Sequence, residues 1–113
     1  VEEREFLALA DAELARLEAA LEKTLADEEA DWDFELKPGG IIEAAFADGS
    51  KIIVNRHNAA REIWVAARSG GFHFKPPAAM GGAWVDTREG RALAAVLSDC
   101  FSAQAGAPLR LDW

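Results

Sequence analysis

The chain has 113 residues, half of them apolar, with a formal charge of −8, and a chain of this size can bury a proper core without staples. Its single cysteine, Cys100, excludes an internal disulfide and any cysteine-paired zinc or cluster site within one chain. No apolar run reaches the roughly 18 residues of a spanning helix, and the acidic opening is unlike a basic signal or transit peptide, so one domain over residues 1–113 in a reducing, cytoplasmic compartment is expected, with no membrane partner.

From about Glu2 to Leu25 the positions Phe6, Leu9, Ala10, Leu14, Leu17, Leu21 and Leu25 step by three and four, the apolar stripe of a helix. Asp11, Glu18 and Glu22 line its solvent side and lead into Asp27, Glu28 and Glu29. The period then changes to two. Trp32, Phe34 and Leu36 alternate with Asp31, Asp33 and Glu35, which predicts a half-buried strand with an acidic outer row. Pro38-Gly39-Gly40 turns into a second strand with Ile42, Ala44 and Phe46 inside, and Asp48-Gly49 is a tight hairpin signal. A third strand, with Ile52 and Val54 inside, and a fourth, with Ile63, Val65 and Ala67 inside, flank a polar loop through His57, Asn58 and Arg61. Gly70-Gly71 turns into Phe72-His73-Phe74, and a short sixth strand is expected at Ala83 to Val85. Asp86 with Glu89 resembles a capping box for a second helix on Leu93, Val96, Leu97, Cys100 and Phe101, which Gly106 and Pro108 stop. The tail from Leu109 to Trp113 is apolar enough to pack back on the domain.

Helix, six strands, helix, with short connections, implies a sequential antiparallel meander. Each strand has one apolar face, so the expected fold is α+β: a two-layer sandwich with two helices on one face of a six-stranded antiparallel sheet. The uncovered face is unusual. Strand alternation places Trp64 and Ala66 on it beside Lys51, Ile53 and Asn55, where a solvated sheet would normally carry charge, and such a patch suggests a docking surface. His73 is expected as an exposed strand residue beside or within that patch.

The charge is localised. Residues 1–35 hold 13 of the 20 acids against Arg4, Arg16 and Lys23, a balance of −10, whereas the remaining residues hold seven acids and nine bases. A field of that sign repels nucleic acid and anionic lipid and attracts cations or a basic protein surface. Carboxylates suit hard cations, and neither His57 nor His73 lies near the acids in sequence, so little selects a softer metal. Cys100, on the apolar stripe, is expected to be an inert buried thiol. No phosphate loop, hydrolytic triad or base-stacking platform is present.

Gly49-Ser-Lys-Ile-Ile-Val-Asn55, the Trp64 strand, Gly70-Gly-Phe-His-Phe74 followed by Trp84, the opening Glu5-Phe-Leu-Ala-Leu-Ala-Asp11 and Gln104-Ala-Gly106 together resemble the frataxin family, most closely its bacterial CyaY branch, over nearly the whole chain. The resemblance implies a non-enzymatic protein of iron–sulfur cluster assembly. It would bind Fe²⁺ or Fe³⁺ weakly through an acidic ridge mapping onto Glu18, Glu22, Asp27, Glu28, Glu29, Asp31, Asp33 and Glu35. It would contact a cysteine desulfurase and a scaffold protein, with Lys51, Asn55 and Trp64 on the partner-facing sheet and His73 as a further candidate. A monomer is expected, with iron-dependent oligomers as the variant. Glu62 stands where glutamine is common in the family, and Leu7 where some bacterial relatives have histidine. Two other readings stay open: an iron oxidase or iron store, and an acidic binding module for which metal is incidental.

Overall fold

The computed structural model describes residues 2–27 and 30–113. Helix α1 (Glu3–Asp27) is followed by strands β1 (Asp33–Lys37), β2 (Ile41–Ala45), β3 (Lys51–His57), β4 (Glu62–Ala67), β5 (Gly70–Lys75) and β6 (Val85–Asp86), then helix α2 (Leu93–Ala105). The strands pair in chain order as one antiparallel sheet. Both helices pack on one face of it, as the alternation predicts, giving the two-layer α+β arrangement.

The core is the sum of three apolar stripes. Helix α1 supplies Phe6, Leu9, Leu14, Leu17 and Leu21, the sheet Ile42, Ile52, Val54, Ile63, Val65 and Phe74, and α2 Leu93, Val96, Leu97, Cys100 and Phe101. Trp32, Phe46 and Phe101 form an aromatic knot at one end: Phe101 meets the other two edge-on, with centroids 5.2 and 5.5 Å away. Edge-on packing suits the quadrupoles of the rings. The tail packs along α2, tied at Ser98 and Ser102, with Leu109 and Leu111 buried and the Trp113 indole N–H donating to Glu13 Oε2 at 2.7 Å.

Polar ties set the turns. Gly49, at φ +87°, makes the β2–β3 turn, where Asp48 Oδ1 accepts from the Ser50 N–H and hydroxyl. Gln104 of α2 is buried and spans both hairpins on that side. Its amide donates to Ser50 Oγ and the Lys51 carbonyl, and its oxygen accepts the Arg68 N–H. Gly40 has a steric role as well as φ +76°, because a Cβ there would sit 2.9 Å from Arg56 Cβ.

Four sequence expectations change. The sixth strand is Val85–Asp86, not Ala83 to Val85. Asp86 does not cap α2; the N-cap is Ala92, without a side-chain bond. The Asp86 carboxylate instead accepts the backbone N–H groups of Arg88, Glu89 and Arg91, gathering the loop before the helix. Strand β3 runs on through His57, so only Asn58–Arg61 turn the chain. Leu36 is in phase with Ile42 across the ladder, yet 53 % of it is exposed. The edge strand there extends past the cover that the helices provide.

The three donated N–H groups hold the Asp86 carboxyl below its usual range, against the opposing effect of desolvation. A depressed folded-state value means a contribution present at neutral pH and lost as acid protonates the group, below the unfolded value of about 3.9. Asp86→Asn should therefore lower the thermal midpoint at neutral pH, and the gap from wild type should narrow below about pH 4. Midpoints recorded by circular dichroism across that range check this; a gap constant with pH would reject it.

Candidate functional site

The acidic residues are distributed over two elements. Glu18, half-buried, and Glu22, exposed, lie on α1; Asp31, Asp33 and Glu35, all exposed, lead into and along β1. The side chain of Asp27, and residues Glu28 and Glu29, lie outside the described residues. By register, Asp33 stands opposite Ala45 and Glu35 opposite Glu43, so these two carboxylates belong to the uncovered sheet face. The acids thus run from the helix around the free edge of the sheet, since β1 pairs only with β2.

Several acids elsewhere on the chain are paired with bases. Asp11 bonds Arg56 at 2.5 Å, Asp48 bonds Arg68 at 2.5 Å, Asp99 bonds Arg91 at 2.6 Å, and the buried Glu13 bonds Arg16 at 2.7 Å. Lys37 sits 2.9 Å from Glu43 and 3.7 Å from Glu35. Its hydrogen bond and charge hold the Glu43 carboxyl below the usual range, and its own pKa is raised in return. Among the described residues, Glu18, Glu22, Asp31 and Asp33 have no salt-bridge partner. Their charge is uncompensated. Nor do three or more His, Cys, Asp or Glu side chains among the described residues converge in a metal-holding group. Carboxylate oxygens are the kind of donor that hard cations take.

The uncovered face carries a different construction. Trp64 is half-buried and sandwiched. The His57 ring lies 3.6 Å from it at 16° and the His73 ring 4.3 Å from it at 8°, giving a three-ring stack across β3, β4 and β5. The indole N–H donates to Glu62 Oε1 at 2.8 Å, and His73 Nδ1 is 3.7 Å from the same oxygen. Asn55 pairs directly with Trp64 across the ladder. The structure thus brings Asn55, Trp64 and His73 together, as the alternation suggests, and adds His57 and Glu62. Lys51 lies on the same face but two outward positions beyond Asn55, with its ammonium 3.7 Å from Glu43. His57 was detectable by continuing the outward phase 51, 53, 55 by one step; its apparent place in a loop hid it.

Cys100 is buried on α2, with burial pushing its thiol up in pKa and the Ser69 hydroxyl 3.8 Å away opposing that shift. Such a thiol is a packing group. Glu13, buried between Arg16 and Trp113, falls on the apolar stripe, four residues after Leu9 and four before Leu17, and a carboxylate in that phase was the signal the sequence offered for it.

Comparison with known proteins shows what the chain is similar to. A family model described as a frataxin-like domain matches residues 1–107. The chain is 55 % identical over 106 residues to the iron-sulfur cluster assembly protein CyaY of Dechloromonas aromatica, covering 94 % of each chain. It is 52 % identical over 110 residues to the protein of the same name from Cupriavidus pinatubonensis, covering 96 % of this chain and 95 % of that one. A solved frataxin from Psychromonas ingrahamii, 24 % identical and covering 100 % of both chains, superposes with a TM-score of 0.78, which speaks to the fold.

Because both faces of the Trp64 indole are covered, its removal has a measurable but limited cost. Trp64→Ala should destabilise the protein by about 1–3 kcal/mol, the worth of two ring contacts, while Phe101→Ala in the aromatic knot should cost more, about 3–5 kcal/mol. Urea unfolding of both variants checks the order; equal losses would place Trp64 in the core.

Proposed function

The chain belongs to the frataxin-like family, and on that premise we propose that it is an iron-binding adaptor of iron–sulfur cluster assembly. The ridge of Glu18, Glu22, Asp31, Asp33 and Glu35, with Asp27, Glu28 and Glu29 continuing it in sequence, takes up iron weakly and meets a basic surface of the cysteine desulfurase. The face around Asn55, Trp64 and His73, with Lys51 at its far side, meets the scaffold protein. The observation that carries this reading is the gathering of Glu18, Glu22, Asp31 and Asp33, none with a salt-bridge partner among the described residues, along α1 and the adjoining free edge of the sheet. Leaving like charges unpaired at one edge has no structural return, whereas it steers a cationic partner and supplies oxygen donors.

Iron is the cargo in this scheme. Each carboxylate offers a hard oxygen, and several of them on one edge raise the local cation concentration, but without a cage each competes with water. Discrimination against Ca²⁺ or Mg²⁺ is accordingly weak. An oxidase reading lacks support, because a two-iron centre of the helical carboxylate type needs Glu-x-x-His pairs, and His57 and His73 are both engaged with Trp64 on the sheet.

Ferrous titration followed by amide NMR should broaden residues around Glu18, Glu22, Asp31, Asp33 and Glu35 first, leave the Trp64 strand sharp, and be reversed by excess Ca²⁺. A single tight site elsewhere would sink the proposal.

Replacing Glu22, Asp31, Asp33 and Glu35 by lysine should abolish binding to the purified desulfurase and leave the fold intact. The same formal change at Glu5, Glu89, Asp99 and Asp112 should weaken it far less. Equal loss in both sets would assign the effect to net charge and not to a located surface.

A further inference from the structure

The Trp64 indole is more restrained than a surface ring usually is. One imidazole from β3 and one from β5 lie nearly parallel to its two faces, at 3.6 and 4.3 Å between centroids, and Glu62 from its own strand takes its N–H at 2.8 Å. The clamp is itself supported. His57 Nδ1 accepts the Ala60 N–H at 3.2 Å, which ties the ring to the Asn58–Arg61 turn and places its ring proton on Nε2. His73 stands directly opposite Trp64 in the ladder, and its Nδ1 is 3.7 Å from the carboxylate oxygen that holds the indole. Three strands therefore fix one side chain on a face that no helix covers. Nothing in the packing of the core calls for it, since Val65 and Phe72, the neighbours of Trp64 and His73 in sequence, already point the other way.

We propose that His57, His73 and Glu62 are positioning residues that hold Trp64 in a single orientation for recognition by the scaffold–desulfurase complex; this rests on the docking role assigned above to that face. A side chain that must be ordered on binding lowers affinity, and one ordered beforehand does not. The stack also sets the kind of contact. With both indole faces occupied, a partner cannot lay an aromatic ring on Trp64, so it meets the ring edges and the Asn55 amide beside them. The complementary surface is thus one that sets a polar group against the amide and packs on a ring edge.

The test uses the full chain and a purified bacterial desulfurase–scaffold complex, with Trp64→Ala, His57→Ala, His57→Phe and Glu62→Leu variants. The Trp64 side-chain N–H resonance, assigned by its loss in Trp64→Ala, reports the order of the indole in the free protein. His57→Ala and Glu62→Leu should each shift that resonance, raise the ring mobility, and weaken binding on the order of three- to tenfold, the size expected for freeing one side chain. His57→Phe keeps a flat ring against the indole and should restore both the order and most of the affinity. If Trp64→Ala weakens binding while His57→Ala and Glu62→Leu change neither binding nor indole order, the positioning role is overturned and the docking face survives. If Trp64→Ala leaves binding unchanged, the docking face itself is overturned, and the recognition role goes with it.

Discussion

The pairing register of the meander is the constraint from which the rest follows. In an antiparallel sheet, residues opposite one another share a face, so the ladder Ile42, Val54, Val65, Phe72 fixes one face and the ladder Ile41, Asn55, Trp64, His73 fixes the other. A slip of one residue in β4 would carry Trp64 into the core and bring Ile63 and Val65 out to water. Burial of Ile63 and Val65 against Leu17, Leu21 and the α2 stripe therefore selects the register, and the exposed stack is its by-product. Gln104 reinforces this choice from the helix layer, because its three hydrogen bonds reach the β2–β3 turn and the end of β4 together.

Helix α1 shows a local arrangement that works against stability. Its first turn carries Glu3 and Glu5, favourable at the positive end of a helix, but its last turn has no basic residue and the chain continues into acids. Glu22, Asp31 and Asp33 have no salt-bridge partner among the described residues, so like charge accumulates where the helix leads into β1. On the proposed reading, a bound cation or a basic partner relieves that repulsion. Local rules broken in one region, while capping, pairing and packing elsewhere agree, mark where a protein gives up stability for function.

Most of the architecture could be read from periodicity because the core uses long, regular stripes. The α1 stripe positions Phe6, Leu9, Ala10, Leu14, Leu17 and Leu21 are all buried, and the strands around Ile52 and Ile63 alternate as written. What escaped reading depended on tertiary reach. Asp86 and Glu89 have the spacing of a capping box, but the Asp86 carboxylate found three N–H groups within its own loop and the helix started six residues later. Leu36 follows the strand period, yet it lines an open groove beside Leu14, Ala15 and Glu18 of α1, so its cover is decided by where the helix crosses the sheet and not by β1 itself. His57 sits beside Asn58, a turn residue, and only the continuing ladder to Glu62 shows that the strand has not ended. Glu62 became visible as a partner of Trp64 only when the rotamer of the indole was known.

The two surfaces differ in physics as well as place. β1 and β4 are three strand spacings apart, about 14 Å at the usual separation, which exceeds the Debye length of about 8 Å at physiological ionic strength. Between them, Lys37 and Lys51 flank Glu43 and neutralise the middle of the sheet face. The field of the ridge is therefore screened before it reaches the stack. Long-range steering belongs to the edge, where charge is unpaired and salt acts strongly; short-range fit belongs to the stack, where ring packing and one carboxylate fix geometry and salt acts little. On the proposed reading, a basic partner at the edge and a second partner at the stack can be met at once, because the edge and the centre of the same open face lead from one to the other without a helix in between.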